Sequence, residues 1–129
     1  MVRLARLTPN QLFQVDLAGA LLSAFLLGII LPIWQPVFGI PVGALRFLAA
    51  FPLGFALFDL YSLRQPSARQ RRLLRVIAVL NGGYCMLSLG VAWAHREEMT
   101  GLGWGYLVSE ILLVLGMAAL EWRSATFSI

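Results

Sequence analysis

A carboxyl group lies well inside one of the most apolar parts of the chain, YLVSEILLVLGMAALEW at residues 106–122. Glu110 follows Trp104 by six residues, about 9 Å along a helix, so its short side chain does not reach the membrane surface that such a tryptophan marks. Placing an acid at that depth costs about 2.5–3.5 kcal/mol, which favours a position facing other helices. A carboxyl group there can take up a proton or bind a cation, and intramembrane acids usually mark functional sites.

Polar side chains in the preceding apolar segment recur at three- and four-residue steps, which places them on one face of a helix. Measured from the tryptophans at one end of both segments, Ser88 is nearly level with Glu110, and Tyr84 lies one turn deeper. A short loop joins the two segments, so they should be antiparallel neighbours. We therefore predict a ligand- or proton-binding site formed by Glu110, Tyr84, Ser88 and Asn81.

The remaining acids of the apolar segments have an interfacial interpretation. Asp16 and Asp59 are expected near the cytoplasmic ends of their helices, where loop arginines can form ion pairs with them. Coordination of a cytoplasmic ligand is the alternative for these two residues. Glu121 adjoins Trp122 and Arg123, and we interpret it as an anchor at the inner membrane surface.

The composition is that of an integral membrane protein. Of the 129 residues, 60% are apolar and 12% are charged, against about 25% charged in soluble domains. Crossing the hydrocarbon core takes about 20 apolar residues, and four windows qualify, at about 11–34, 44–63, 72–94 and 102–122. No long linker divides them. We predict an all-α polytopic membrane protein, an antiparallel bundle of four transmembrane helices in a single domain, 1–129.

Local signals mark the helix starts. Thr8 and Gln11 have the spacing of a capping box, and Ser67 and Gln70 repeat that spacing before the third window. Thr100 is a candidate cap for the fourth helix. These positions predict where three of the four helices begin.

Small residues and one proline are expected to affect how the helices pack. Gly82 and Gly83 in the third window, and Gly105 and Gly116 in the fourth, belong to small-residue faces of the kind that pack tightly in membranes. Pro52 frees a backbone carbonyl group in the second helix at about the depth of the buried acid, where a kink would widen a cavity.

The arginines orient the bundle, since the chain has ten arginines and no lysine. Two of them, Arg46 and Arg96, fall on the side opposite to the termini. The other eight share a side with the termini and the middle loop: Arg3, Arg6, Arg64, Arg69, Arg71, Arg72, Arg75 and Arg123. By the positive-inside rule, both termini should be cytoplasmic, in a bacterial-type inner or plasma membrane.

Several kinds of chemistry are excluded within one chain. Cys85 is the only cysteine and His95 the only histidine, so there is no intrachain disulfide, CxxC pair or multi-histidine metal site. We expect no cofactor and no metal. The arginines border apolar segments and form no groove-reading array, so we expect no nucleic-acid binding either. No catalytic residue can be assigned.

Three functions fit the pattern. The first is a transporter or a bundle that binds a small molecule or an ion, in which Glu110 takes up a proton or cation. The second is an accessory or structural subunit whose polar stripe binds the transmembrane helix of a partner. The third, an intramembrane enzyme acting on a lipid or isoprenoid, ranks last because no nucleophile–base pair accompanies the acid.

The expected partners are membrane lipids and either further copies of the chain or a membrane partner protein. The size is that of small multidrug-resistance transporters and of fluoride channels, both of which work as dimers. The chain departs from both, because its acid is on the last helix and it has no fluoride-channel glycine pattern. An oligomer is therefore an expectation from size alone.

Overall fold

The computed structural model describes residues 8–127, with side chains to residue 125, so Arg3 and Arg6 lie outside the described part. The described residues form four long helices, and a helix of four residues, Gln35–Phe38, follows the first of them. The first helix is Pro9–Ile33, the second Val42–Leu63, the third Ser67–Ala94 and the fourth Gly101–Phe127. All four are long and apolar enough to cross a membrane, and the described residues contain no strand. The predicted all-α four-helix bundle is confirmed.

The first helix begins at the predicted capping box. The backbone N–H of Gln11 donates to the Thr8 hydroxyl at 3.2 Å, and the backbone N–H of Thr8 donates to the Gln11 side chain at 3.0 Å. Pro9, which has no N–H to satisfy, is the first helical residue. Further along, the helix widens into one π-helical turn at Leu26–Ile30, which the apolar pattern did not predict.

The predicted capping box at the third helix is wrong. Pro66, in an extended conformation with ψ of 156°, occupies the capping position, and Ser67 is already helical. The side chain of Gln70 instead donates to the Ser62 carbonyl at 3.0 Å. That carbonyl belongs to the last turn of the second helix, where carbonyl groups have no partner within the helix. Gln70 therefore joins the end of one helix to the start of the next.

Thr100 caps the fourth helix, as predicted, and also holds the short helix against it. Its hydroxyl accepts from the Gly103 backbone N–H at 3.2 Å and donates to the Val37 carbonyl at 2.6 Å. Gly39 has a φ of 77°, which favours glycine, and its backbone lies directly against the chain before Thr100. At Gly103 a side-chain carbon would collide with the Phe38 carbonyl. Glycines therefore allow this close backbone contact.

The helices pair as two hairpins, the first with the second and the third with the fourth. Four successive spanning helices bring the start of the first, the 64–66 connection and the end of the fourth to one end of the bundle. We call this the arginine-rich end. A buried apolar cluster that includes Leu12, Phe13 and Ile77 packs toward it. A second cluster, which includes Leu27, Leu48 and Leu107, fills the opposite half.

The glycine faces do not pack the helices of this chain together. A side-chain carbon added at Gly82, Gly83, Gly105 or Gly116 would meet no heavy atom within 4 Å. Gly28, at the π-helical turn, has a neighbour, since such a carbon would lie 3.5 Å from the Ala49 side chain. At these four positions, the outward faces of the third and fourth helices therefore have no side chain and no neighbouring atoms of the bundle.

Candidate functional site

Glu110 lies inside the bundle with 6% of its surface exposed. Its two carboxyl oxygens accept from two tyrosine hydroxyls, from Tyr84 at 3.2 Å and from Tyr106 at 3.3 Å. Tyr84 comes from the third helix, so the structure brings together two of the four residues that were predicted to form the site. Tyr106 was not predicted, although its position four residues before Glu110 places it one turn away on the same helix.

Two aromatic rings surround the Tyr84 side chain. Its ring packs against Phe55 edge to face, with centroids 5.9 Å apart, and against Phe51 at 6.2 Å. Both phenylalanines belong to the second helix. The hydroxyl that donates to Glu110 is therefore held by packing across the two hairpins.

Ser88 does not join the Glu110 hydrogen bonds. It is fully buried near Tyr84, but its hydroxyl has no partner in hydrogen-bond geometry among the described residues. Ser88 was predicted to join the site because it is nearly level with Glu110 along the helices. Depth alone does not bring the short serine side chain to the carboxyl group. Ser88 is a buried polar neighbour of the site.

Asn81 belongs to a different group of acids. Its side-chain amide donates to Asp16 at 3.1 Å and to Glu121 at 3.0 Å. The carboxyl groups of Asp59 and Glu121 both neighbour that of Asp16. Each of the four helices thus contributes one residue to this group, which we call the carboxyl cluster. It lies on the arginine-rich side of Glu110, since Glu121 follows Glu110 by eleven residues.

The structure buries these acids inside the bundle, and the predicted ion pairs of Asp16 and Asp59 with loop arginines are wrong for the described residues. Asp16 is 7% exposed and Asp59 and Glu121 are fully buried. Among the described residues, no arginine forms an ion pair with any of them. Residue counts from the aromatic anchors estimate the height of a side chain along its helix but not the direction in which it points. Here all three acids point into the bundle and toward one another.

Most oxygens of the carboxyl cluster have no hydrogen-bond donor. Of its six carboxyl oxygens, one on Asp16 and one on Glu121 accept from Asn81. The other oxygen of each of these acids, and both oxygens of Asp59, are buried without a partner among residues 8–125. Buried polar atoms are nearly always hydrogen-bonded, so this cluster is an exception that requires an explanation.

A cavity of about 150 Å³ connects the two polar groups. Glu110 and Tyr84 line one part of it, and Asp16 and Asn81 line another. Pro52 of the second helix lies in its wall, as expected if the proline shapes a cavity near the depth of Glu110. The lining contains two acids and no basic side chain.

The cavity opens sideways between the first and fourth helices. Val15, Leu22 and Leu113 line it and are also exposed on the outer surface, at 45%, 58% and 74%. These helices contact each other less than the helices of either hairpin do. An opening lined by exposed apolar side chains on a membrane-spanning bundle faces the hydrocarbon. The cavity therefore lies beside the outer surface of the bundle, between these two helices.

The described residues contain no group of three or more histidine, cysteine, aspartate or glutamate side chains arranged to hold a metal ion. Cys85, the only thiol, is buried and donates to the Ile111 carbonyl at 3.7 Å. The geometry places two carboxyl groups, a type of group that can take up a proton or bind a cation, in the lining of a largely apolar cavity.

Comparisons with protein families, with curated proteins and with solved structures find no match to this chain. The four apolar helices indicate a small integral membrane protein of the multi-pass type. Any more specific function has to be argued from the geometry of the cavity and its acids.

Proposed function

We propose that this protein transports a small, predominantly apolar cation, which enters the cavity from the membrane and exchanges there with a proton on Glu110. The observation that carries the proposal is the position of Glu110, a buried acid in the wall of a cavity that is open to lipid. Membrane proteins rarely place an acid at such a depth, because its insertion is costly.

Charge and size favour this class of ligand. The cavity lining has the carboxyl groups of Glu110 and Asp16 and no positive side chain to balance them. Phe55 and Tyr84 add aromatic surface, which attracts ammonium groups. A cavity of about 150 Å³ accepts a molecule of about the size of benzene. A lipophilic ammonium ion of that size satisfies the acid and the apolar walls together.

The hydrogen bonds of Glu110 support proton exchange rather than a structural role alone. Of the two tyrosine bonds, only that from Tyr84 joins two helices, because Tyr106 lies on the same helix as the acid; Ser23 of the first helix also lies beside the carboxyl group. Hydrogen bonds between membrane helices average about 0.6 kcal/mol, which is well below the insertion cost of about 2.5–3.5 kcal/mol. Stability does not account for the acid.

Transport is tested in proteoliposomes with tetramethylammonium, whose permanent charge prevents it from leaking across the membrane as a neutral base. In the wild-type protein, a pH gradient that drives protons across the membrane should drive this ion in the opposite direction. Glu110→Gln should abolish this proton-coupled flux. Glu98→Gln is the matched control, because Glu98 lies exposed in the loop before the fourth helix. Full activity in Glu110→Gln would rule out the proposed role of the acid.

A second candidate function is that of a subunit that binds the transmembrane helix of a partner or of another copy. The outward glycines favour it, since Gly82, Gly83, Gly105 and Gly116 leave backbone surface open outside the bundle. A partner that co-purifies in stoichiometric amount and is released by Gly116→Leu, at one of these outward positions, would support this function. Monodisperse single copies without a partner, together with cation flux, would exclude it.

We also propose that both termini are cytoplasmic. The arginines Arg64, Arg69 and Arg123, on the side of the termini, support this orientation. A reporter that is active only in the cytoplasm should be active when it is fused to the C-terminus. An inactive reporter of this kind would indicate the opposite orientation.

A further inference from the structure

We infer that the carboxyl cluster of Asp16, Asp59, Asn81 and Glu121 is a proton-binding site, in which the three acids share two protons. It is separate from the hydrogen bonds of Glu110. The proposed transport needs Glu110 to exchange a proton, whereas this site is defined by the contacts of the other buried acids with one another.

The centre of the site is Asp16. The carboxyl groups of Asp59 and Glu121 both adjoin that of Asp16, and the amide of Asn81 holds Asp16 and Glu121 together at 3.1 and 3.0 Å. Two adjacent carboxyl groups form a hydrogen bond only if one of them carries a proton, because an ionised carboxylate is an acceptor only. Two such contacts on one aspartate therefore need two protons.

Asp59 gives independent support, because Asn81 does not bind it. Its side chain is fully buried, both of its oxygens lack a donor among the described residues, and it is directed at Asp16. A bare carboxylate in that position would be a buried charge beside other carboxylates, which is strongly unfavourable. A proton on Asp59 turns one oxygen into a donor and removes the charge.

Other cations fit the site less well. No arginine or histidine of the described part forms an ion pair with these three acids, so no side chain neutralises them. The acids are not arranged to hold a metal ion. A proton needs no set of ligands around it, and two protons leave the cluster with one negative charge. The arginines of the same end of the bundle, such as Arg75 and Arg123, offset that charge at a distance.

The position of the site connects it to the cavity. Asp16 and Asn81 belong both to the carboxyl cluster and to the cavity lining that includes Glu110. If the proposed transport holds, protons pass between the arginine-rich end and Glu110 through this cluster. The existence of the site does not depend on that step.

The chain contains only two aspartates, and both are in the cluster, so an isotope label isolates the site without any mutation. The experiment is infrared spectroscopy of the full-length protein in lipid nanodiscs, with carbon-13 in the aspartate side-chain carboxyl. At neutral pH we expect a carbonyl stretching band of a protonated carboxyl group that shifts with the label and again in heavy water. Exposed aspartates would give only carboxylate bands.

One variant and one control test where the protons lie. Asp59→Asn should weaken the label-sensitive band, since only the proton shared by Asp16 and Glu121 remains, whereas Glu98→Gln, in the exposed loop, should leave it unchanged. If Asp59→Asn fails to fold, the wild-type spectrum still decides. A label-sensitive protonated band at neutral pH supports the proposal, and a spectrum with only ionised aspartates overturns it. Neither result depends on a transported ligand, so failure here is distinct from loss of tetramethylammonium flux.

Discussion

Replacing Glu110 by glutamine should abolish most cation binding and leave the fold almost unchanged. A charge-assisted hydrogen bond to a buried carboxylate contributes about 1.5–3 kcal/mol. At about 1.4 kcal/mol for each factor of ten, Glu110→Gln should raise the Kd of benzylammonium about 10- to 150-fold. Benzylammonium is a suitable ligand because its ring has the size that the cavity accepts and its ammonium group can donate to the acid.

The stability of the same variant should change little. Glutamine offers one oxygen to one tyrosine, and its amide group can donate to the hydroxyl of the other, since a hydroxyl both donates and accepts. Tyr84 and Tyr106 therefore both keep a partner, and the free energy of unfolding should change by less than about 0.6 kcal/mol. Equilibrium dialysis in nanodiscs measures the Kd, and steric trapping in bicelles measures unfolding.

The two measurements together separate function from structure. Glu98→Gln, in the exposed outer loop, should change neither quantity. If Glu110→Gln binds benzylammonium as tightly as the wild-type protein, the acid does not hold the cation. If the variant instead unfolds while binding stays intact in the folded fraction, the hydrogen bonds of the two tyrosines are structural, and the functional interpretation of the acid is refuted.

Five further substitutions have outcomes that steric trapping can measure. Gly103→Ala should cost about 1–3 kcal/mol, because the added carbon collides with the short helix, whereas Gly105→Ala, which meets open space, should be neutral or stabilising by up to about 1 kcal/mol. Tyr84→Phe should cost about 0.6–1.7 kcal/mol, and Tyr106→Phe less, because only the first bond joins two helices; equal costs would contradict this reasoning. Asn81→Leu should cost about 1–3 kcal/mol, because two carboxyl oxygens lose their donor, and a variant with wild-type stability would show that the amide does not hold the acids together.

Apolar length and local capping predicted the bundle well, because both depend on neighbouring residues in the chain. The four windows became four helices, and Thr8 and Thr100 cap helices where expected. The contact between Tyr84 and Glu110 also followed from spacing, since antiparallel neighbours with a short connection have a fixed relative height. The capping box at Ser67 failed because Pro66 already fixes the extended conformation before the helix.

The carboxyl cluster could not be predicted in the same way. Asp16, Asp59 and Glu121 each have a plausible interfacial position when their own helix is considered alone, beside arginines or a tryptophan. Their contact depends on how all four helices are rotated about their axes, and the π-helical turn in the first helix adds a change that residue counting does not include. The available signal was that each window carries at least one acid or amide side chain toward the arginine-rich end.

The composition of the carboxyl cluster has a consequence for biosynthesis. If the helices insert in chain order, the first hairpin enters the membrane with Asp16 and Asp59 before Asn81 and Glu121 follow. The two aspartates then have no amide donor, and each must be inserted as a neutral acid or stay near water. The fourth helix supplies the last residue of the site. The newly made hairpin is therefore the form most exposed to quality-control proteases and chaperones, until the end of the chain is inserted.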